Sequence, residues 1–329
     1  MRAWLLNDFT GLDALHVSES VPRPSPGLGE VLIRVHFAAL NPADRFLAEN
    51  LYPARPKLPH ILGRDGGGVV EEIGAGVSQP RVGDRVVVLR SEAGVEKPGT
   101  FAEYLVVPAE YVVPKPAEWT EQEAAAAPLV YLTAHQALTQ WGGPQKRETV
   151  LITGASGGVG VATLHLAKAL GHRTIALSRS EPKRAKLTNL GADLVLHPND
   201  PELKARVKEF TERKGVDLVV DSVGGELFNT ILDLMGYGGR ISVVGGLDGP
   251  VPVFNTAKLL FRRTRVGGVL VFDYKAPQAR AVWHEILDGM RRIGARPLVD
   301  SVFPFEKLKE AFARLASGPM GKVLLDIRT

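Results

Sequence analysis

Val150-Leu151-Ile152-Thr153-Gly154-Ala155-Ser156-Gly157-Gly158-Val159-Gly160, or VLITGASGGVG, is the stretch on which the reading of this chain turns. An apolar run of buried-strand character leads into a cluster of small residues. A helical pattern from about Val159 to Leu170 follows, closed by Gly171. Small side chains at Ala155, Ser156, Gly157 and Gly158 let a phosphate group approach the main chain and its N–H donors. Gly160 lets the helix pack closely on the strand, and the helix points the positive end of its dipole at the anion. Ala155 stands where the dinucleotide fingerprint has its first glycine, with Gly157 and Gly160 at the second and third. Such a motif is weak alone, and its context carries it.

Outward from the loop the same grammar repeats. TIALS (Thr174 to Ser178) precedes a helix opened by Glu181 and Pro182 and closed by Gly191. DLVLH (Asp193 to His197) precedes the helical stretch PELKARVKEFTERKG. DLVVDSV (Asp217 to Val223) precedes ELFNTILDLMGYGG, and RISVVGG (Arg240 to Gly246) closes the series. Pro just inside a helix start and Gly just past its end are boundary signals. Near-continuous Val, Leu and Ile strands alternating with helices predict a Rossmann-type, doubly wound parallel sheet over residues 121–265.

The end of the second strand selects the cofactor. NAD sites place Asp or Glu there to hold the ribose 2′-OH. This chain has Ser178, Arg179 and Ser180 instead, with Lys183 shortly after. Hydroxyls and cations suit a 2′-phosphate, so NADPH is expected. A solvated helix start is the plainer reading of Arg179 and Lys183.

Upstream, residues 1–120 hold short β-like runs (RAWLL, EVLIRVHFAAL, GGGVVEEIG, DRVVVLR, FAEYLVV) divided by Gly and Pro, a barrel-like grammar. Downstream, residues 266–329 carry RVGGVLVF, a long helix from Pro277 to about Ile293, a strand near Leu298, a helix from Glu306 to Ala316 and a final strand KVLLDI. This end is expected to return and complete the first domain.

The chain has 329 residues, 45% hydrophobic and 23% charged, ordinary for a globular protein of two domains. It has no cysteine, which removes disulfides and thiolate-ligated zinc, and its eight histidines show no HxH or HExxH spacing. The N-terminus MRAWLLNDFT lacks a long apolar segment before a small-residue cleavage site, so a cytoplasmic location is expected, with no membrane partner. The net charge is +4, and the densest basic cluster is Arg262, Arg263 and Arg265, without aromatic interleaving. Nucleic acid is therefore not an expected partner.

Taken together, NPADRF (Asn41 to Phe46), GRDGGGVVEEIGAGV (Gly63 to Val77), VGDRV (Val82 to Val86), GTFAEYLVVP (Gly99 to Pro108), AAAAPLVYLTAHQAL (Ala124 to Leu138), GASGGVG and GKVLLDI span almost the whole chain. With these ordered motifs the sequence resembles the medium-chain dehydrogenase/reductase superfamily, within it the zinc-free quinone oxidoreductases related to zeta-crystallin. The resemblance implies an α/β protein with a GroES-like, β-rich catalytic domain built from both chain ends, an inserted Rossmann domain, and the cofactor in the cleft between them. Zinc-binding members carry Cys where this chain has Asn41, and a His-Glu pair where Arg64 and Asp65 follow Gly63. No metal ligand set remains.

The resemblance also implies site residues. Asn41 offers an amide donor where zinc would sit, and also reads as a turn residue before Pro42. Tyr52 could donate a proton or pack in a loop. Arg64 could attract an oxyanion or pair with Asp65 or Asp44, and Asp44 would orient its neighbours. Thr133, Gly245, Gly246, Val271 and Phe272 are expected near the nicotinamide, and Lys322 reaching the cofactor; core packing and a solvated cation are the plainer readings of Phe272 and Lys322.

The implied activity is hydride transfer from NADPH to a quinone or α,β-unsaturated carbonyl. An enoyl-thioester reductase on the same scaffold and a non-catalytic NADPH-binding or RNA-binding protein are the alternatives. TRVGGVLVF (Thr264 to Phe272) reads as an exposed edge strand, and a homodimer joined through it is expected.

Overall fold

The computed structural model describes residues 1–142, 147–249 and 253–329. The chain divides into two compact units. The first comprises Met1–Leu129, Phe272–Trp283 and Arg296–Thr329, the second Val130–Val271 and His284–Ala295. The units change over at 129/130, 271/272, 283/284 and 295/296, while the sequence pattern changes at 120 and 265.

The first unit is β-rich. Its seven-stranded sheet runs Val299–Pro304, Lys322–Asp326, Glu30–Ala39, Gly66–Ile73, Arg85–Val88 and Val112–Pro114, with Tyr104–Pro108 paired to Glu30–Ala39. The C-terminal strand Lys322–Asp326 lies antiparallel to Glu30–Ala39 with Leu324 opposite Ala39, so the chain end completes this sheet. Val31, Ile33 and Val35 alternate inward toward a core that also holds Phe101, Phe305 and Phe312. Gly68 belongs to the close pairing of Gly66–Ile73 with Glu30–Ala39, where a Cβ would run into the Arg34 carbonyl.

The second unit is a six-stranded sheet in the order Leu194–Leu196, Arg173–Leu177, Thr149–Ile152, Val216–Asp221, Met235–Val243 and Arg265–Gly268. Every pairing is parallel. In chain order the strands run 3-2-1-4-5-6, the doubly wound arrangement, and the order reverses between Thr149–Ile152 and Val216–Asp221. Leu151, Ile175, Val219 and Ile241 form the buried centre of the sheet.

Two boundaries differ from the sequence reading. The helix Leu227–Leu234 ends before MGYGG, because Met235 extends to pair with Val216. The next partners are Leu218 and Arg240, so residues 236–239 bulge out of the ladder, and Gly238 takes a φ of +76°. The edge strand is Arg265–Gly268, shorter than TRVGGVLVF, and Val271–Asp273 turn into a 3-10 helix. Paired glycines at 267 and 268 weaken the strand there. Among the described residues no helix is long and apolar enough to cross a membrane.

Candidate active site

In the second unit the glycine loop lies at the C-terminal end of the first parallel strand, beside the point where the strand order reverses. The helix Gly158–Ala169 begins directly from it with Gly157 as N-cap. The first amides of a helix have no intrahelical acceptor, and nothing in the cap residue's side chain supplies one here. A Cβ on Gly157 would have the Gly154 carbonyl, 3.4 Å away, as its nearest neighbour and otherwise enter open space. A Cβ on Gly160 would collide with the Gly154 carbonyl and sit 2.6 Å from the Cα and carbonyl carbon of Ala155. Gly157 therefore leaves room outward, where a ligand approaches, and Gly160 leaves room inward, for the loop itself. Ala155 is buried, with its N–H on Leu177 O, while Ser156, Gly157, Gly158 and Val159 are half-buried. This cradle fits a diphosphate held by main-chain amides.

The floor of the crevice is knitted by residues that the sequence reading did not single out. Thr153 Oγ1 donates to Asp221 Oδ1 at 2.6 Å, and the same oxygen accepts the amides of Val223 and Gly224 at 3.1 and 3.2 Å. The Ser222 amide donates to Thr153 Oγ1, and its hydroxyl to Thr153 O. A carboxylate closing a buried strand at the reversal point was the available signal. Gly245 backs onto Ser222, with Gly246 exposed beside it.

At the end of the second strand, Ser178 is buried with its N–H on Leu196 O, and Arg179 is exposed. Lys183 lies in the first turn of the helix Glu181–Asn189. Arg184, also absent from the sequence reading, donates from Nη1 to the carbonyls of Ser178 and Arg179, both at 3.1 Å. It satisfies two carbonyls at the end of that strand. Thr133 lies half-buried on the helix Pro128–Thr139, and Val271 is buried at the end of this unit.

The first unit holds a buried ionic cluster on which Asn41, Asp44, Tyr52, Arg64, Asp65 and Lys322 converge. The Asn-Pro pair starts the helix Pro42–Ala48, with Asn41 as N-cap. Asp44 accepts the Asn41 amide at 2.8 Å and, on its other oxygen, Arg64 Nε at 3.3 Å. Arg64 Nη1 donates to the Tyr52 hydroxyl at 3.2 Å, and the guanidinium carbon stands 4.8 Å from that ring's centre. Arg64 Nη2 is buried without a hydrogen-bond partner among the described residues. Lys322 Nζ donates to Asn41 Oδ1 at 2.6 Å and Leu40 O at 2.9 Å, and lies 3.3 Å from Asp65 Oδ2, an ion contact outside hydrogen-bond geometry.

Burial sets the proton affinities here. It pushes the Asp44 carboxyl above the ordinary range, with Arg64, the Asn41 amide and Lys322 pulling back. It does the same to Asp65, opposed by Lys322 and the Leu129 amide, and it lowers the Lys322 ammonium against the pull of Asp65 and Asp44. The cluster balances two cations against two carboxylates. The two hydrogen bonds that Lys322 Nζ donates both go to the first unit, to Leu40 O and Asn41 Oδ1.

Phe272, expected over the nicotinamide, has its carbonyl on Arg90 Nη2 at 2.8 Å and its ring 4.8 Å from the Arg90 guanidinium, which Tyr111 covers from 5.0 Å. The basic cluster near 262 is partly consumed inside the second unit. Arg262 caps the carbonyls of Leu232, Asp233 and Met235, and Arg265 stands over the Trp141 ring. Among the described residues no group of three or more His, Asp or Glu could hold a metal ion.

Residues 27–117 match the alcohol dehydrogenase GroES-like domain and residues 158–292 the zinc-binding dehydrogenase domain. A quinone oxidoreductase of Lama guanicoe is 30% identical over 328 residues, covering 99% of this chain and 97% of its own. Among solved structures, an NAD-dependent alcohol dehydrogenase superposes with a TM-score of 0.90 at 32% identity, covering 99% of each chain. A mycobacterial protein complexed with NADPH does so with a TM-score of 0.88 at 30% identity, again covering 99% of each.

Proposed function

This chain belongs to the medium-chain dehydrogenase/reductase superfamily of oxidoreductases, and on that premise we propose that it reduces a quinone or an α,β-unsaturated carbonyl with NADPH, without a metal ion. The observation that carries the coenzyme reading is the pair of sites at the ends of the first two parallel strands. One offers small residues and free helix amides to a diphosphate. The other offers Ser178, Arg179 and Lys183, with no Asp or Glu at the strand end itself, to a 2′-phosphate. In this reading residues 121–265 form the NADP-binding domain, and residues 1–120 with 266–329 the catalytic domain.

When bound, the reduced nicotinamide supplies the hydride. The chain's own residues bind the acceptor and stabilise the negative charge that develops on its oxygen. Tyr52 accepts a hydrogen bond from Arg64, so its own hydroxyl proton is left to point at an oxyanion. Asp44 holds Arg64 in place, and the Asn41 amide is a second donor. Zinc-binding members have thiolate and imidazole here. This chain has Asn41 and Arg64 there instead, and its Asp44 and Asp65 carboxylates are engaged by Arg64 and Lys322.

The unpaired edge Arg265–Gly268 supports a homodimer, because exposed Phe261, Val266 and Leu270 accompany it. A cytoplasmic location goes with this reading. The test is NADPH oxidation by the purified, chelator-treated protein with quinones, simple alkenals and an enoyl-CoA. Turnover with quinones or alkenals is expected. Turnover with the thioester alone would assign an enoyl-thioester reductase instead, and salt-dependent RNA binding without any oxidation would assign a binding protein.

A further inference from the structure

An ammonium group only donates hydrogen bonds. Lys322 Nζ lies 2.6 Å from Asn41 Oδ1, so the oxygen of that amide is obliged to face the lysine. On the other side Asn41 Nδ2 donates to the Ala39 carbonyl at 3.2 Å, and a carbonyl only accepts. Both neighbours select the same orientation. A flipped amide would set NH₂ against an ammonium and oxygen against oxygen. The main chain is held too, since the Asn41 N–H is taken by Asp44 Oδ2 at 2.8 Å. Lys322 is itself fixed by Leu40 O at 2.9 Å and by Asp65 at 3.3 Å. Asn41, Asp44, Asp65 and Lys322 are all buried, so water does not compete for these bonds.

One Asn41 amide hydrogen goes to Ala39. The other makes no hydrogen bond among the described residues. Resting on the carbonyl-reductase reading, we propose that Lys322 is a positioning residue: it locks the Asn41 amide as a one-way donor for the acceptor's carbonyl oxygen. The lysine of the GK pair then acts through Asn41, not on the coenzyme. Asp65 completes the device by holding the ammonium where the amide oxygen can meet it.

The substitution that separates these roles is Asn41→Asp. A carboxylate still accepts from Lys322 but has no N–H to offer. Asn41→Asp loses the bond to the Ala39 carbonyl but keeps the Lys322 contact, so the coenzyme-free protein should melt higher than Asn41→Leu, which loses both. Coenzyme affinity should stay within about twofold, while kcat for the carbonyl acceptor falls on the order of a hundredfold, as on loss of an oxyanion donor. Lys322→Met should lower kcat with KM for NADPH unchanged, and should add little when combined with Asn41→Ala, because the two act as one unit.

Wild-type kcat in Asn41→Asp would overturn the donor role, and a melting temperature of that variant at or below that of Asn41→Leu would overturn the Lys322 contact. A Lys322→Met protein with intact kcat and a roughly tenfold or greater loss of NADPH affinity (about 1.4 kcal/mol) would return the lysine to the coenzyme. If Lys322→Met does not fold, Asn41→Asp decides alone. If wild type binds NADPH yet reduces no carbonyl, the functional reading fails, while the melting comparison still decides whether Lys322 and Asn41 are coupled.

Discussion

Thr153 Oγ1 donates to Asp221 Oδ1 across 2.6 Å, joining the first and fourth strands of the parallel sheet at the point where their order reverses. Asp221 is fully buried and gathers three donors on one oxygen. Asp221→Ala leaves the Thr153 hydroxyl and two amides without an acceptor. The expected loss is roughly 1–3 kcal/mol of unfolding free energy, with weakened NADPH binding. Asp221→Asn keeps an acceptor oxygen and should cost less. Urea unfolding and nucleotide titration of both variants measure this, and an unaltered Asp221→Ala protein would remove the strut from the account.

The glycines of the loop separate into two roles. Gly157→Ala adds a methyl group that meets nothing closer than 3.4 Å, at a φ of −75° that alanine accepts. Stability should hold while NADPH affinity falls by roughly tenfold, about 1.4 kcal/mol. Gly160→Ala forces a methyl group into the Ala155 backbone at 2.6 Å and should cost about 1–3 kcal/mol of stability. Thermal melts beside titrations test the pair. Equal effects of the two substitutions on both quantities would contradict the assignment.

The 2′-phosphate reading depends on charge. Replacing Arg179 and Lys183 with Ala should weaken NADPH roughly tenfold or more, and NADH little, because charge-assisted bonds to phosphate are lost only with NADPH. Arg184→Ala frees the carbonyls of Ser178 and Arg179 and should act in the same direction. Comparing 2′,5′-ADP with ADP as ligands isolates the 2′-phosphate. Equal losses for both ligands would show that the cations serve the fold instead.

His165 hydrogen-bonds Tyr131 at 2.8 Å inside the second unit. Burial, aided by Lys168, lowers its pKa to about 4 from 6.5. The folded state thus binds the proton less readily than the unfolded chain. The stability this histidine contributes is present above pH 6.5 and is lost as the pH falls toward 4. Asp44 and Asp65, raised by burial, act in the opposite sense, so the difference between variants is the useful quantity. His165→Asn, which does not titrate, should show a flatter decline in urea midpoint between pH 7 and pH 5 than wild type. Parallel curves would contradict it.

Much of the nucleotide unit was legible because its signals are local. A strand, small residues and a helix are contiguous from Val150 onward, and each later strand repeats the pattern. The crevice floor was less legible, since Thr153 and Asp221 meet only after 68 residues of chain have folded between them. Lys322 and Asn41 are 281 residues apart in sequence. Nothing near GK in the chain states that its ammonium turns inward, and so the resemblance alone pointed it toward the coenzyme. Asn41-Pro42 read equally as a turn or a site. It is a helix start, because Asp44 three residues on accepts the Asn41 amide. Arg184 escaped notice because its partners are main-chain carbonyls, which have no sequence signature.

The most direct test of the central claim is an equilibrium titration of the purified protein with NADPH and with NADH under identical salt. The account predicts saturable, one-site binding of NADPH at least tenfold tighter than NADH, a difference of about 1.4 kcal/mol or more, with NADPH bound roughly tenfold more weakly by Gly157→Ala. Tighter binding of NADH, or no binding of either nucleotide, would contradict it.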